Sequence, residues 1–135
     1  ERKSGREFAY FNTHLDHMSE AARANGMALI LTRMMRLAQG RPVFLTGDMN
    51  ATPGSEPIKR AAAVLGEASK LTRTPHAGPV ATSGGFKVEK VHTAEIDHIF
   101  VSGGIRVLTH TTFDDSQDQL YPSDHFPVAA DVVLE

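Results

Sequence analysis

The chain of 135 residues has no cysteine, almost no net charge and no long apolar run. Without cysteine it can form neither disulfides nor thiolate metal sites, although this does not indicate a redox compartment. Fourteen Lys and Arg against sixteen Asp and Glu give a net charge of -2, unlike the strongly basic proteins that bind nucleic acid through bulk charge. No apolar run reaches the roughly 18 residues of a membrane span, and the first residues do not resemble a secretory signal.

The remaining composition is that of a soluble globular protein, with 41% apolar and 22% charged residues. The length fits one domain, so residues 1–135 are predicted to form a single unit. Because the net charge is near zero, a phosphate-bearing substrate would need a metal ion or a few local basic groups. The sequence leaves the compartment open.

The pattern of apolar residues predicts a mixed α/β layer. Strands are predicted at 8–15, 43–47, 95–102, 105–113 and 125–134, and helices at 19 to about 39 and at 55 to near 66. Ser19 and Ser55 can cap the helices, and residues 67–92 are predicted to be mostly irregular. Gly103 and Gly104 predict a tight turn that pairs strand 105–113 with strand 95–102. Pro127 indicates that the last strand lies at an edge or begins beyond the proline.

Polar side chains cluster where these strands begin or end. The clusters are Asn12 with His14, Asp48 with Asn50, Asp97 with His98, and Asp124 with His125. Loops at one edge of a sheet bring such groups together.

The segment "TGDMN" places Asp48 and Asn50 directly after an apolar strand. On an extended backbone a spacing of two puts both side chains on one face. A carboxylate beside an amide can hold a divalent cation or a phosphate oxygen. An Asx-rich turn is an equally good interpretation.

Asp97 lies within the apolar strand "EIDHIF". Burying a carboxylate there costs free energy unless a hydrogen-bond donor or a cation pairs with it. His125 is a candidate donor, and a carboxylate that orients an imidazole makes it a better general base. If the backbone is extended there, Asp124 faces away from His125 and is available to a metal ion.

These groups together predict hydrolysis at phosphorus. Asp97 and His125 would form the base, while His14, Asp48 and Asn50 would surround a phosphate. A hard cation would neutralise the oxygens during attack by water. Oxygen-rich ligands without cysteine favour Mg²⁺, Mn²⁺ or Ca²⁺ over zinc.

The segment "FNTHLDH" leaves two alternatives open. His14, Asp16 and His17 could hold zinc in a hydrolase, although such sites usually need a further histidine nearby. They could equally be surface groups that cap the following helix.

Five motifs, in this order along the chain, resemble those of the endonuclease/exonuclease/phosphatase superfamily, which has the DNase I-like fold. They are "NTHLDH", "LTGDMNATPGSEP", "ATSGGF", "IDHIFVS" and "YPSDHFPVAADV". The resemblance covers residues 8 to 134 and is closest to bacterial members of unassigned substrate. It implies metal-dependent hydrolysis of a phosphodiester or phosphomonoester, with nucleic acid, nucleotides, inositol phosphates or lipid head groups as substrates.

The resemblance also implies roles for single residues. His14 would hydrogen-bond the scissile phosphate, and Asp48 would position the nucleophile or assist the leaving group. Asn50 would contact the phosphate or the metal. Asp97 would orient His125, the general base.

Further roles follow from the other motifs. Asp124 would be a metal ligand beside Asp48 and Asn50. Asn12, Thr82 and Phe86 would line the substrate pocket. In "ATSGGF", Ser83 and Gly84 replace a bulky residue and a histidine that the family often has there.

Members of the family are four-layer α/β sandwiches, and their N-terminal half carries an Asn and a Glu that anchor the metal. No "QE"-type motif precedes Phe8, so the chain resembles the C-terminal half: one mixed, mostly antiparallel sheet with flanking helices. Its bare face would be an apolar patch. We expect it to be covered by the missing N-terminal half or by another copy of the chain. Alone, the chain is expected to be a non-catalytic fragment.

Overall fold

The computed structural model describes residues 1–90 and 93–135, and within them it has six strands and three helices. In chain order they are β1 (Ala9–His14), α1 (Glu20–Ala38), β2 (Val43–Asp48), α2 (Glu56–Ala62), β3 (Gly66–Glu67), α3 (Ala68–Leu71), β4 (Asp97–Val101), β5 (Ile105–Thr112) and β6 (Val128–Leu134). The predicted mixed α/β class, with a mixed and mostly antiparallel sheet, is confirmed.

The main sheet has the strand order β1-β2-β4-β3. β1 and β2 run parallel, because the long helix α1 carries the chain back between them. β4 is antiparallel to both of its neighbours.

β5 and β6 form a separate two-stranded antiparallel sheet. The predicted pairing of strand 105–113 with strand 95–102 is therefore wrong. The reason is that β4 lies between β2 and β3, so both of its edges are already occupied. β6 begins at Val128, beyond Pro127, as the proline indicated.

The centre of the main sheet, β2 and β4, packs on both faces. Consecutive residues of a strand point to opposite sides, and in these strands both sets include buried apolar residues. Leu45 and Phe100 pack with α1 and α2, in a cluster that includes Met27, Met34 and Ile58. Phe44 and Val101 point the other way and pack with Ile105 and Val107 of β5. The two clusters fix the sheet between the helices and the β5–β6 pair.

The ends of the helices agree only in part with the bounds predicted from the sequence. The Ser19 hydroxyl accepts a hydrogen bond from the amide of Ala22, and α1 ends with Gln39 in the left-handed conformation at φ 51°. Ser55 precedes α2 without capping it through its side chain, and α2 ends well before Gly66. The region predicted to be irregular also contains β3 and α3; its last two residues, 91 and 92, lie outside the described part of the chain.

Gly47 is required where β1 and β2 approach closely. Its φ is 138°, and a Cβ added there would collide with the carbonyl oxygen of Thr13. A side chain at this position would push the two strands apart directly before Asp48. Among the described residues, no helix combines the length and apolar character needed to cross a bilayer.

Candidate active site

The sheet register brings three of the predicted site residues side by side. β1 and β2 are parallel and end together, with His14 opposite Asp48. β4 is antiparallel to β2 and begins at Asp97, which is also opposite Asp48. One edge of the sheet therefore carries all three side chains, as the sequence predicted.

His125 completes this group from the loop before β6. Its Nδ1 lies 2.8 Å from Oδ2 of Asp97, so the predicted contact is present. Its Nε2 lies 3.8 Å from Oδ2 of Asp48, and Nε2 of His14 lies 3.2 Å from the same oxygen. When Nδ1–H donates to Asp97, Nε2 keeps its lone pair on the side of Asp48.

The carboxylates around His125 raise its pKa. Burial of the ring alone would lower the pKa, but the hydrogen bond to Asp97 and the negative charges of Asp97, Asp48 and Asp124 outweigh it. The imidazolium that forms when His125 accepts a proton is therefore stabilised, as a general base requires.

The loop after β2 is a tight Asx turn. Oδ1 of Asp48 accepts a hydrogen bond of 2.7 Å from the amide of Asn50. Asn50 has φ 45° and donates its side-chain amide to the carbonyl of Leu15, 2.9 Å away. The prediction that Asp48 and Asn50 share a face of an extended backbone is wrong, because Asn50 adopts the left-handed conformation.

Thr82 lies at the centre of the backbone that supports the site. It is 2% exposed, and its hydroxyl accepts hydrogen bonds from the amides of Ile96 and Asp97, each 3.0 Å away. Its carbonyl accepts one from the amide of Phe126. Thr82, predicted to line the pocket, thus fixes the backbone at Asp97 through its hydroxyl and the backbone next to His125 through its carbonyl.

The other predicted site residues are exposed. Asn12 accepts a hydrogen bond from Thr46, and both line a cavity of about 390 Å³ that also borders Asp97 and His125. Phe86 is 54% exposed.

Asp124 is also exposed, beside His125. Its carbonyl accepts hydrogen bonds from the amides of Gly84 and Gly85, and its carboxylate lies 3.5 Å from the hydroxyl of Ser123.

The ligand atoms of Asp48, Asp97 and His125 all lie within 4.8 Å of one another, so these groups could hold a metal ion. Asp97 and the Nδ1 of His125 already bind each other. The oxygen donors left at this edge are the carboxylate of Asp48, the second oxygen of Asp97 and Oδ1 of Asn50, whose side-chain nitrogen donates to Leu15. Such oxygen donors suit a hard divalent cation. Asp124 is not part of this cluster in the described residues.

The zinc alternative finds no cluster to support it. Oδ1 of Asp16 accepts hydrogen bonds from the amides of Ser19 and Met18, which lower the pKa of the Asp16 carboxyl. This carboxylate therefore stabilises the turn before α1. Within residues 1–90 and 93–135, His14, Asp16 and His17 do not form a three-ligand group.

A second charged cluster, centred on His98, was not predicted. Nδ1 of His98 lies 2.9 Å from Oε1 of Glu67, and Nε2 lies 2.9 Å from the carbonyl of Ala51. Both ring nitrogens face acceptors, so the doubly protonated ring satisfies both. Glu67 also pairs with Lys70. The cluster includes Glu95 and has the composition of a metal site, but His98 and Lys70 already supply its positive charge.

The pKa values of this pair agree with a buried ion pair. The hydrogen bond from His98, aided by Lys70 and opposed by burial, lowers the pKa of Glu67 to about 2. Burial alone would lower the pKa of His98, but its bonds to Glu67 and Ala51 raise it. Because Ala51 follows Asn50, this pair ties the active-site loop to β4. Period-two alternation in "IDHIF" puts His98 on the face opposite Asp97, but no sequence signal indicated Glu67 as its partner.

The chain belongs to the endonuclease/exonuclease/phosphatase family, whose model matches residues 4–125. Members of this family are hydrolases that act on phosphate esters and generally depend on divalent metals. No curated protein matches the chain in sequence.

Solved structures of similar proteins agree with this assignment. A functionally unknown conserved protein from Enterococcus faecalis V583 is 36% identical, with a TM-score of 0.86 over 93% of this chain and 50% of that one. A mannosyl-6-phosphatase from Bacteroides thetaiotaomicron VPI-5482 is 28% identical, with a TM-score of 0.85 over 98% and 53%. The human Nocturnin catalytic domain, solved with sulfate bound, is 27% identical, with a TM-score of 0.74 over 99% and 50%. The chain thus spans about half the length of these relatives.

Proposed function

We propose that the protein carrying this chain is a divalent-metal-dependent phosphoesterase that hydrolyses a phosphodiester or a phosphomonoester by in-line attack of water. The observation that carries the proposal is the hydrogen bond of 2.8 Å between Asp97 and Nδ1 of His125, with Nε2 on the side of Asp48. An oriented imidazole next to a second carboxylate is the arrangement that a hydrolytic base needs.

In the proposed reaction, Nε2 of His125 takes a proton from water as the water oxygen bonds to phosphorus. The ester P–O bond breaks on the opposite side, and the leaving alkoxide takes up a proton from solvent to become the alcohol. Asp97 holds the tautomer and stabilises the imidazolium. His14 hydrogen-bonds the phosphate, and Asp48 aligns the water or assists the leaving group.

We assign the metal to Asp48 and Asn50, with exposed Asp124 as the third candidate ligand. A divalent cation there, Mg²⁺ or else Mn²⁺ or Ca²⁺, supplies positive charge to the phosphate oxygens when bound. The oxygen donors of this set support the assignment over zinc.

The substrate is proposed to be a phosphate ester on a nucleic acid, a nucleotide, or a lipid or inositol phosphate. The similarity to a mannosyl-6-phosphatase and to Nocturnin supports a phosphate ester without selecting among these classes. The cavity of about 390 Å³, with Asn12 at its wall, gives the ester group a place beside His125. Exposed Phe86 remains a candidate for substrate contact, and buried Thr82 would support the pocket through its hydrogen bonds.

We further propose that the exposed face of β1, which includes Tyr10 at 60% exposure, is covered in the functional protein. The N-terminal half of the fold or a second copy of the chain would cover it. The chain alone is then expected to be inactive.

The test uses the polypeptide that contains this chain together with an N-terminal half, assayed on a panel of phosphate esters and on bis-p-nitrophenyl phosphate. His125→Ala should lower turnover by about 10²–10⁴-fold, the usual worth of a general base, with an unchanged circular dichroism spectrum. Ser116→Ala, an exposed loop substitution, is the matched control and should match wild type. Full activity in His125→Ala would refute the proposal.

A further inference from the structure

The hydroxyl of Ser83 lies beside the catalytic nitrogen of His125. Oγ of Ser83 is 3.4 Å from Nε2 of His125, and Ser83 forms single backbone bridges with both His125 and Ala94. Nε2 is the atom that takes the proton in the proposed function. Ser83 occupies a position where the resemblance to the family led us to expect a bulky residue.

The backbone around Ser83 holds this hydroxyl in place. The Ser83 amide donates to the carbonyl of Ala94 at 3.1 Å. On one side, Thr82 is buried and bonded to the start of β4. On the other side, the amides of Gly84 and Gly85 both donate to the carbonyl of Asp124. The segment 82–85 is therefore anchored both to β4 and to the loop that carries His125.

We propose that Ser83 is a positioning residue that holds the nucleophilic water against His125, an inference that rests on the proposed function. A separation of 3.4 Å is long for a direct O–H···N bond, but a water molecule can lie about 2.8 Å from both atoms. Oδ2 of Asp48 lies 3.8 Å from the same Nε2 atom.

The hydrogen-bonding capacity of water fits these three groups. Water has two donor hydrogens and two lone pairs. One hydrogen goes to Nε2 of His125 and the other to the carboxylate of Asp48, since both are acceptors. The Ser83 hydroxyl donates to one lone pair, and the second lone pair is left for phosphorus. Ser83 thus sets the direction of attack.

Ser83, His125 and Asp97 could instead suggest a nucleophilic serine, because these three residues have the connectivity of a hydrolytic triad. A serine nucleophile needs donors for the developing oxyanion. The two amides that follow Ser83 already donate to Asp124. The geometry therefore favours water as the nucleophile.

The first experiment compares kcat and KM for wild type and for Ser83→Ala, Ser83→Thr and His125→Ala, in the polypeptide that contains an N-terminal half. Ser83→Ala should lose about 2- to 13-fold in kcat, the net worth of one hydrogen bond, with KM unchanged because Ser83 touches water. Ser83→Thr keeps the hydroxyl and should restore most of kcat. Ser116→Ala is the matched control, and melting curves confirm that each variant folds.

The outcomes separate the two proposals. If His125→Ala is inactive while Ser83→Ala keeps the wild-type kcat, the role of Ser83 is refuted and the proposed function stands. If Ser83→Ala changes KM alone, Ser83 contacts the substrate and the positioning role is refuted. If His125→Ala is fully active, the proposed function fails and the role of Ser83 fails with it.

A second experiment needs no turnover. The protein is incubated with a fluorophosphonate probe and examined by mass spectrometry. An unmodified Ser83 supports water as the nucleophile. A phosphonyl adduct on Ser83 that disappears in His125→Ala would overturn the proposal in favour of a covalent serine mechanism.

Discussion

Replacement of Glu67 by Gln should remove the loss of stability that the Glu67–His98 pair causes below pH 4.5. Glu67 is 3% exposed and pairs with His98, which is 1% exposed. The pKa of Glu67 falls from its ordinary 4.5 to about 2. At about 1.4 kcal/mol for each pH unit, this difference corresponds to about 3 kcal/mol of folding free energy. That is a large share of the roughly 5–15 kcal/mol that holds a typical domain together.

The pH dependence of the stability follows from the charged forms of Glu67 and His98, which folding favours. Because folding lowers the pKa of Glu67, its contribution is complete above pH 4.5 and is lost as the pH falls toward about 2. Folding raises the pKa of His98, so its contribution is complete below pH 6.5 and is lost as the pH rises through the higher folded value. The pair therefore stabilises the fold most between about pH 4.5 and 6.5.

Urea unfolding followed by circular dichroism, from pH 3 to 7, measures the effect. Wild type should lose stability steeply below pH 4.5, whereas Glu67→Gln should lack this step. The variant should instead lose stability as the pH falls through 6.5, because burial lowers the pKa of His98 once its partner is gone. At pH 6 the variant should be about 3–5 kcal/mol less stable, because His98 loses its buried partner. Glu56→Gln, which removes a half-exposed carboxylate paired with Arg60, is the matched control and should change little. Parallel acid limbs for wild type and Glu67→Gln would show that this pair does not act as argued.

Three further predictions concern the site. Asp97→Asn should reduce kcat by about 10²–10⁴-fold, because the amide can donate to Nδ1 of His125 and leave the proton on Nε2. Wild-type activity should rise with pH through a His125 pKa above 6.5, and this limb should move to lower pH in Asp97→Asn; an unmoved limb would show that the two residues are not paired. Chelation with EDTA should abolish activity, and Mg²⁺ or Mn²⁺ should restore it. Asp48→Asn should weaken Mn²⁺ binding in calorimetry, and binding equal to wild type would remove Asp48 from the ligand set.

Much of the site could be predicted from the sequence because its residues follow apolar strands directly. A carboxylate within "EIDHIF" needs a partner, and this reasoning alone led from Asp97 to His125, which lies 28 positions away. The sheet register then places Asp48 beside them, since the edge of a sheet gathers strand ends.

The parts that could not be predicted depend on tertiary contacts. The two edges of β4 are taken by β2 and by β3, a strand of two residues that carries almost no periodic signal. Asn50 leaves the extended conformation because the Asp48 carboxylate captures its amide, a choice that spacing cannot reveal. Glu67 and His98 are 31 positions apart and meet only once the sheet has formed.

The division of labour between Thr82 and Ser83 has a consequence for redesign. A valine at position 82 would keep the shape of the side chain yet leave two buried amides without an acceptor. The neighbouring positions 83–86 are at least partly accessible, and their side chains carry no comparable duty toward the scaffold. Combinatorial libraries aimed at new ester preferences can therefore vary exposed Phe86, while Thr82, Ser83 and Gly85, whose φ is 97°, are held constant.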